Sequence, residues 1–504
     1  MSSTDLTRRN LLRVGGVVAA GAAVNFLPAV AFANPPSSGT GQQTRTVTGT
    51  FTPSISDWYY LPVEVPKGVN KIEVSYTYDK PAVPGGTRGN ACDIGMFGPE
   101  GHDLGNVKGF RGWSGGFRNS FSISATEATP GYLAGPIKPG TWHVILGPYT
   151  VAPQGLNYSV TITLHFGPQG APFRANPAPT SAPARQRGRA WYRGDCHLHT
   201  VHSDGRRTPD QLVADARAAG LDFIASTEHN TPSAHLQWGD HATNDLLILN
   251  GEEVTTRSGH WPAIGLPAGE WIDWRYRAGD PADFRHFVER VHKLGGLVTA
   301  AHPFSNCFGC TYEFSYELAD LVEVWGGPWT DDDQASVIHW DGLLRGGKFI
   351  PAIGNSDAHN PDQVVAKPHT VVLADSLRKE HLLAGLKAGR SWLAESSAVQ
   401  LSFTASVPGR TADIGGRLPV EIGTPVTVTA VVGGVPGTTV TILDQLGPEH
   451  SETVPESGVA TVSWTTYPRY SRWVRAEVRR PTAGSTPLTA PMVAMTNPIF
   501  LGRD

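Results

Sequence analysis

Five times between residues 195 and 359, a short apolar run ends in imidazole or carboxylate side chains. The clusters are Asp195-Cys196-His197-Leu198-His199 with Asp204 close behind, Glu228-His229, Glu252-Glu253 followed by His260, His302-Pro303, and Asp357-Ala358-His359. Short apolar runs bounded by turn residues read as strands buried on both faces. A barrel that carries its chemistry at the C-terminal ends of its strands would bring all five clusters to one rim. The pattern therefore constrains the central fold and its site together.

The punctuation between the clusters agrees. Thr208-Pro209-Asp210-Gln211 predicts a helix start with a capping box and Pro at the first position, and Gly220 predicts its end. Asp280-Pro281 predicts a second helix, stopped by Gly295-Gly296. Thr330, with Asp331, Asp332 and Asp333 behind it, predicts a third, whose first-turn carboxylates suit the helix dipole. Strands are expected at 221–225, 297–301 and 349–353. Repeated strand–helix units over residues 191–400 imply an α/β barrel with a parallel sheet.

The flanks differ. Residues 46–167 and 401–504 show short alternating runs, such as Tyr158-Ser159-Val160-Thr161-Ile162-Thr163-Leu164, and read as β-sandwich-like domains. Residues 168–190 are Pro/Ala-rich and read as a linker, as do residues 34–45. The 504 residues thus divide into a multidomain chain with a central barrel. Fourteen of its eighteen histidines fall between residues 197 and 381. The central third is chemically distinct.

Residues 1–33 read as a targeting segment. Arg8-Arg9 is a twin-arginine pair, an apolar stretch runs from Val14 to Val30, and Ala31-Phe32-Ala33 is an A-x-A cleavage site. This predicts export with the twin-arginine (Tat) translocase as a transient partner, to the periplasm, cell surface or extracellular space. No transmembrane segment is expected in the mature chain. The net charge of −4 gives no reason to expect nucleic acid as a partner. In an exported chain Cys307-Phe308-Gly309-Cys310 leaves a disulfide, free thiols or a metal site open.

Nine side chains are candidate metal ligands: His197, His199, Asp204, His229, Glu253, His260, His302, Asp357 and His359. Imidazole and carboxylate sets of this kind hold Zn, Mn or Fe. His202 is a candidate proton donor, and Asp357 and Glu253 are candidates for orienting an attacking water. Arg193, Arg206 and Arg207 flank the first cluster as a possible phosphate clamp. His235 and His241 are candidates for touching substrate, and Trp325 and Trp329 for lining its pocket. Asp195 and Glu228 read as structural partners, and Glu252 as the exposed neighbour of Glu253.

In order, His197-x-His199, Ser203-Asp204-Gly205, Glu228-His229, Gly251-x-Glu253, Gly259-His260, Ala301-His302-Pro303 and Asn355-Ser356-Asp357-Ala358-His359 resemble the motifs of the polymerase and histidinol phosphatase (PHP) superfamily. Gly269-Glu270-Trp271-Ile272-Asp273-Trp274 and Leu386-Lys387-Ala388-Gly389-Arg390-Ser391-Trp392 resemble its exported branch, which includes carbaryl hydrolase. The resemblance implies a distorted (β/α)7 barrel with two to three divalent metal ions. One would take His197, His199, Glu253 and Asp357, a second Asp204, His229 and His359, and a third Glu253, His260 and His302. Asp204 stands where some members use His, and Glu228 where many have Asp. The resemblance implies a metal-dependent hydrolase of a small-molecule ester. A phosphoesterase is expected first and a carbamate or carboxylic ester hydrolase second. A surface glycan- or protein-binding module on a scaffold barrel is a third reading.

Overall fold

The computed structural model describes residues 29–32, 39–486 and 488–503. The twin-arginine pair and nearly all of the expected signal lie outside them. Of that segment, Val30 forms a single parallel bridge with Val63, and Val30 and Phe32 pack against the sandwich core. No helix among the described residues is long and apolar enough to cross a membrane. The chain is multidomain and mostly β, with few helices and several sheets.

Two four-stranded antiparallel sheets build the N-terminal sandwich. One runs Gly41–Phe51, Leu156–Phe166, Val69–Tyr78, Ser120–Ser124; the other Tyr59–Val65, Gly140–Thr150, Ala91–Phe97, Phe110–Gly115. The period-2 pattern of Leu156–Phe166 explains the packing. Leu156, Tyr158, Val160, Ile162, Leu164 and Phe166 point inward and are buried, while the residues between them face outward. The first strand begins at Gly41, inside the stretch expected to be a linker.

The central unit comprises β1 (Ala190–Asp195), α1 (Pro209–Ala218), β2 (Phe223–His229), β3 (Leu247–Thr256), β4 (Gly259–Ile264), α2 (Pro281–Lys293), β5 (Leu297–Ala300), β6 (Leu321–Gly326), α3 (Asp331–Arg345), β7 (Ala352–Asn355), β8 (His369–Ala374), α4 (Lys379–Lys387) and β9 (Ser391–Ala394). The strand order is β7-β6-β5-β4-β3-β2-β1-β8-β9. Helix starts fall where the caps predict: Thr208 and Gln211 make a reciprocal capping box, and so do Thr330 and Asp333.

The sheet is not parallel throughout, as repeated strand–helix units alone would imply. Strands β1–β3 and β5–β7 pair in parallel, but β4 runs antiparallel to both β3 and β5, and β8 antiparallel to β1 and β9. The cause is local. A tight turn joins β3 to β4, and Gly259 there adopts φ +110°, with the backbone of Thr311 and Tyr312 where a Cβ would sit. A hairpin leaves no room for a crossover helix. Strand β7, at one end of this order, is joined to β8 through a side chain. The Thr370 hydroxyl accepts from Gly354 N–H at 3.0 Å and donates to Gly354 C=O at 2.8 Å.

The boundary expected at residue 400 is also not a break. Strand β9 pairs antiparallel with Met492–Thr496, so the central sheet continues into the C-terminal domain. There it packs against a second sheet containing Gln400–Val407, Val426–Gly433 and Val459–Thr466, across a core that includes Val428, Val432, Ile442, Val474 and Val478. Asn497 ties the units together by accepting Ala352 N–H and donating to the carbonyls of Ala352 and Ser391. Residues 168–190 likewise run along the central unit: Asn176 exchanges backbone hydrogen bonds with Leu236 and Gly239, and Ala182 is fully buried.

The N-terminal sandwich and the central unit share one hydrophobic core. Phe110 stacks on Trp271 at 4.1 Å, and Phe97, Trp113 and Ile145 pack with Trp261 and Trp274. Buried Arg275 reaches from its partner Asp273 to Tyr60 and the carbonyl of His102. This contact places the sandwich beside the rim where the five clusters meet.

Candidate metal centre

All nine candidate ligands converge on one rim. A single parallel bridge between Leu198 and Ala358 organises the first four. His197 and His199 flank Leu198 and share a face, while Asp357 and His359 flank Ala358, where left-handed backbone at Asp357 departs from extended chain; all four enter the same cluster. Leu198 and Ala358 themselves are fully buried on the other side. Both pairs lie beyond the ends of β1 and β7 rather than on the strands. His229 ends β2, Glu253 lies on β3, His260 on β4, and His302 two residues past β5. His302 and Asp357 take left-handed φ of +24° and +47°. Such backbone costs about 1–3 kcal/mol each and clusters at functional sites.

The distances suit a cation. His197 Nε2 lies 3.3 Å from Glu253 Oε2 and 3.4 Å from Asp357 Oδ1; His199 Nε2 lies 3.3 Å and 3.1 Å from the same oxygens. Ligands about 2.1 Å from a tetrahedral ion stand about 3.4 Å apart, so these four atoms match the edges of its shell. Beside them, Asp204 Oδ1 stands 3.4 Å from His229 Nε2 and 3.3 Å from His359 Nε2. On the far side, Glu253 Oε1 faces His260 Nδ1 at 3.0 Å and His302 Nε2 at 3.2 Å. His197 Nε2, His199 Nε2, Asp204 Oδ1, Glu253 Oε2 and Asp357 Oδ1 are buried and make no hydrogen bond among the described residues. Buried lone pairs aimed at common points are costly unless a cation receives them. The donor set fits divalent metal ions.

Electrostatics agree. Burial alone would raise the Glu253 carboxyl, but His229, His197 and His260 pull it well below the usual range. Asp357 and Asp204 are lowered in the same way, against burial, by their imidazole neighbours. Burial opposes a charge on His359, yet Asp204 and Asp357 push it up to about 10. His199 is driven down to about 3 by burial and by His359 and His229.

Outer partners aim the ligands. Glu323, fully buried on β6, has its carboxylate 3.2 Å from His197 Nδ1, which presents Nε2 to the cluster. Glu323 also accepts from Asn355 Nδ2 and His302 N–H. Glu228 accepts from Thr200 and Ser203, and Asp195 accepts from Ser356, Ala366 and His197. Burial raises Asp195 to about 6 against those bonds.

Several expected roles do not survive. His202 is buried against Ser233 Oγ at 2.9 Å and lines neither cavity at the centre; burial lowers it to about 3. His235 is fully buried, 2.8 Å from the Gly251 carbonyl. Arg193 is directed at His369 and Val399 C=O, and Arg207 at Asp215 and the carbonyls of Asn360 and Gln363. Arg206 is exposed, and His241 pairs with Asp210. Trp325 is core, donating to Gly327 C=O, and Trp329 packs against it beneath Arg479. Apart from exposed Arg206 and the surface pair of His241, these side chains are taken up by packing and by hydrogen bonds within the fold. Glu252 is the converse case: it is fully buried, accepts Ile272 N–H, and burial holds its carboxyl well above the usual range.

Two cavities open on the centre. One is bounded by the ligands themselves with Ser305, Thr330, Asp332 and Asp333. The other, about 300 Å³, adjoins Asp204, His229 and His260 and is walled by the sandwich through Trp58, Asp93 and Trp113. Cys307 and Cys310 form a disulfide in the loop between them. The sandwich residues carried no local signal in the sequence. Glu323 did: it is a lone acid in the apolar run Leu321-Val322-Glu323-Val324-Trp325.

No protein-family model and no curated protein matches the chain. Among solved structures it is similar to a two-domain protein from Bacteroides vulgatus containing a predicted PHP-like metal-dependent phosphoesterase. That likeness has 18% identity, 65% of this chain, 100% of that one and a TM-score of 0.37. An amidohydrolase from Chromobacterium violaceum shows 18% identity over 34% of this chain and 89% of its own, with a TM-score of 0.26. A protein from Bifidobacterium adolescentis, provisionally named a metal-dependent phosphoesterase, shows 19% identity over 38% and 94%, with a TM-score of 0.26.

Proposed function

We propose that this chain is an exported metal-dependent hydrolase of the PHP superfamily, acting on a phosphoester of a small organic molecule. The observation that carries the reading is the set of five buried ligand atoms without a hydrogen bond, facing one another within a cluster of nine candidate ligands. His197, His199, Glu253 and Asp357 would hold one ion, Asp204, His229 and His359 a second, and His260 and His302 a third shared through Glu253. Bound divalent cations, Zn, Mn or Fe, supply Lewis acidity that activates water and offsets charge developing on the ester. The chain's own contribution is placement. Glu323 sets the direction of His197, and the Leu198–Ala358 bridge sets the spacing of two ligand pairs. Asp357, which faces His197 and His199 and lines the ligand-bounded cavity, would orient a water.

A second reading, a carbamate or carboxylic ester hydrolase, has its own support. Arg257 is the one arginine or lysine lining the two cavities among the described residues, and its guanidinium is directed at Asp57. A dianionic phosphate would find no free basic side chain there. The test is the mature chain with its metals counted, assayed on aryl phosphomonoester, phosphodiester, carboxylic ester and carbamate with one leaving group. Two to three metals per chain with phosphoester turnover fastest is the expected result. Faster carbonyl ester turnover moves the assignment to the second reading. A fully loaded chain that turns over none of them overturns both.

A further inference from the structure

The cavity beside Asp204, His229 and His260 has two kinds of wall. The first is aromatic. Trp113 and Trp274 lie 4.5 Å apart, Trp58 stands edge-on to both at 5.8 Å, and Tyr149 completes the lining. The second is one carboxylate. Asp93 lines the cavity from the strand Ala91–Phe97 and makes no hydrogen bond or ion pair within 4 Å among the described residues.

The backbone is built to bring these together. Gly147 pairs with Asp93 across the sheet. A Cβ at Gly147 would lie 2.9 Å from Trp58, 3.2 Å from Trp113 and 3.3 Å from the Asp93 Cβ. Any side chain there would push the indoles and the carboxylate apart. Arg257, the nearby cation, does not form an ion pair with Asp93. It stacks over Trp58 and Tyr149 and lies 3.3 Å from Asp57. A carboxylate left without a donor amid indole rings attracts a cation twice, through its own charge and through the ring faces. The cavity's size suits one small organic group.

We propose that this cavity receives the organic part of the substrate as an aryl-sized apolar group carrying a protonated amine, with Asp93 as its counter-charge. The assignment rests on the hydrolase reading above and makes the N-terminal sandwich the specificity element of the site. Burial raises the Asp93 carboxyl to about 7 against the pull of Arg257, so a cationic ligand would hold it ionised.

The test is tryptophan fluorescence titration of the metal-loaded full chain with phenethylammonium and with its neutral isostere 2-phenylethanol. The amine is expected to bind about tenfold more tightly. Asp93→Asn should abolish that preference while leaving 2-phenylethanol binding unchanged, which also shows that the variant is folded. Trp58→Leu should weaken both ligands. Equal binding of the two by the native chain, or an amine preference that survives Asp93→Asn, overturns the proposal. Amine preference without turnover of any ester keeps the amine site and sinks the hydrolase reading; turnover without amine preference does the reverse.

Discussion

Glu253 directs one carboxylate oxygen at His197 and His199 and the other at His260 and His302. One residue therefore joins two parts of the cluster, and Glu253→Gln should remove most activity, read as kcat on the best ester with metal content measured in parallel. Glu323 acts one step out. Glu323→Gln is expected to lower metal affinity about 10–100-fold by releasing the orientation of His197; equilibrium dialysis against the metal checks it, and an unchanged affinity counts against the role. Arg207 belongs to a different class. Its guanidinium satisfies Asp215 and two carbonyls, so Arg207→Ala should cost about 1–3 kcal/mol of stability with KM unchanged. A raised KM at normal stability would restore it to the substrate site. The candidate ligands were legible in the sequence because most of them are polar residues that close an apolar run or follow its end closely. The arginines misled because a charge beside a motif does not reveal which partners the fold gives it.

At the scale of elements, the helix starts could be read from short-range chemistry. Thr208 and Gln211 lie three residues apart and bond each other whatever surrounds them. The direction of β4 could not be read in this way, because the same apolar run serves a parallel or an antiparallel neighbour. The turn at Gly259 decides it. The bridge between Leu198 and Ala358 joins segments 160 residues apart, and it sets the register of four ligands. Leu198→Ala should cost about 2–5 kcal/mol, the range for truncating a buried leucine, and should also weaken metal binding. Thermal unfolding of the metal-free protein and a metal titration separate the two effects. Loss of stability at unchanged metal affinity would mean that the bridge is packing alone.

For the whole molecule, the units expected to be separate share sheets and cores. Truncation after residue 400 would strip β9 of its partner Met492–Thr496 and expose its backbone edge. Such a chain should be recovered aggregated; a soluble, metal-loaded 191–400 fragment would show that the barrel is independent after all. The sequence by itself determined the candidate ligand set, the helix starts, the β character of both flanks and the export expectation, because each depends on residue type and near spacing. Only the tertiary structure decided where the sheet ends, which arginines are consumed by backbone carbonyls, and that a wall of the cavity comes from the N-terminal sandwich. Those depend on contacts between residues far apart in the chain, such as Trp58 with Trp274, and neither partner carries a mark of the other.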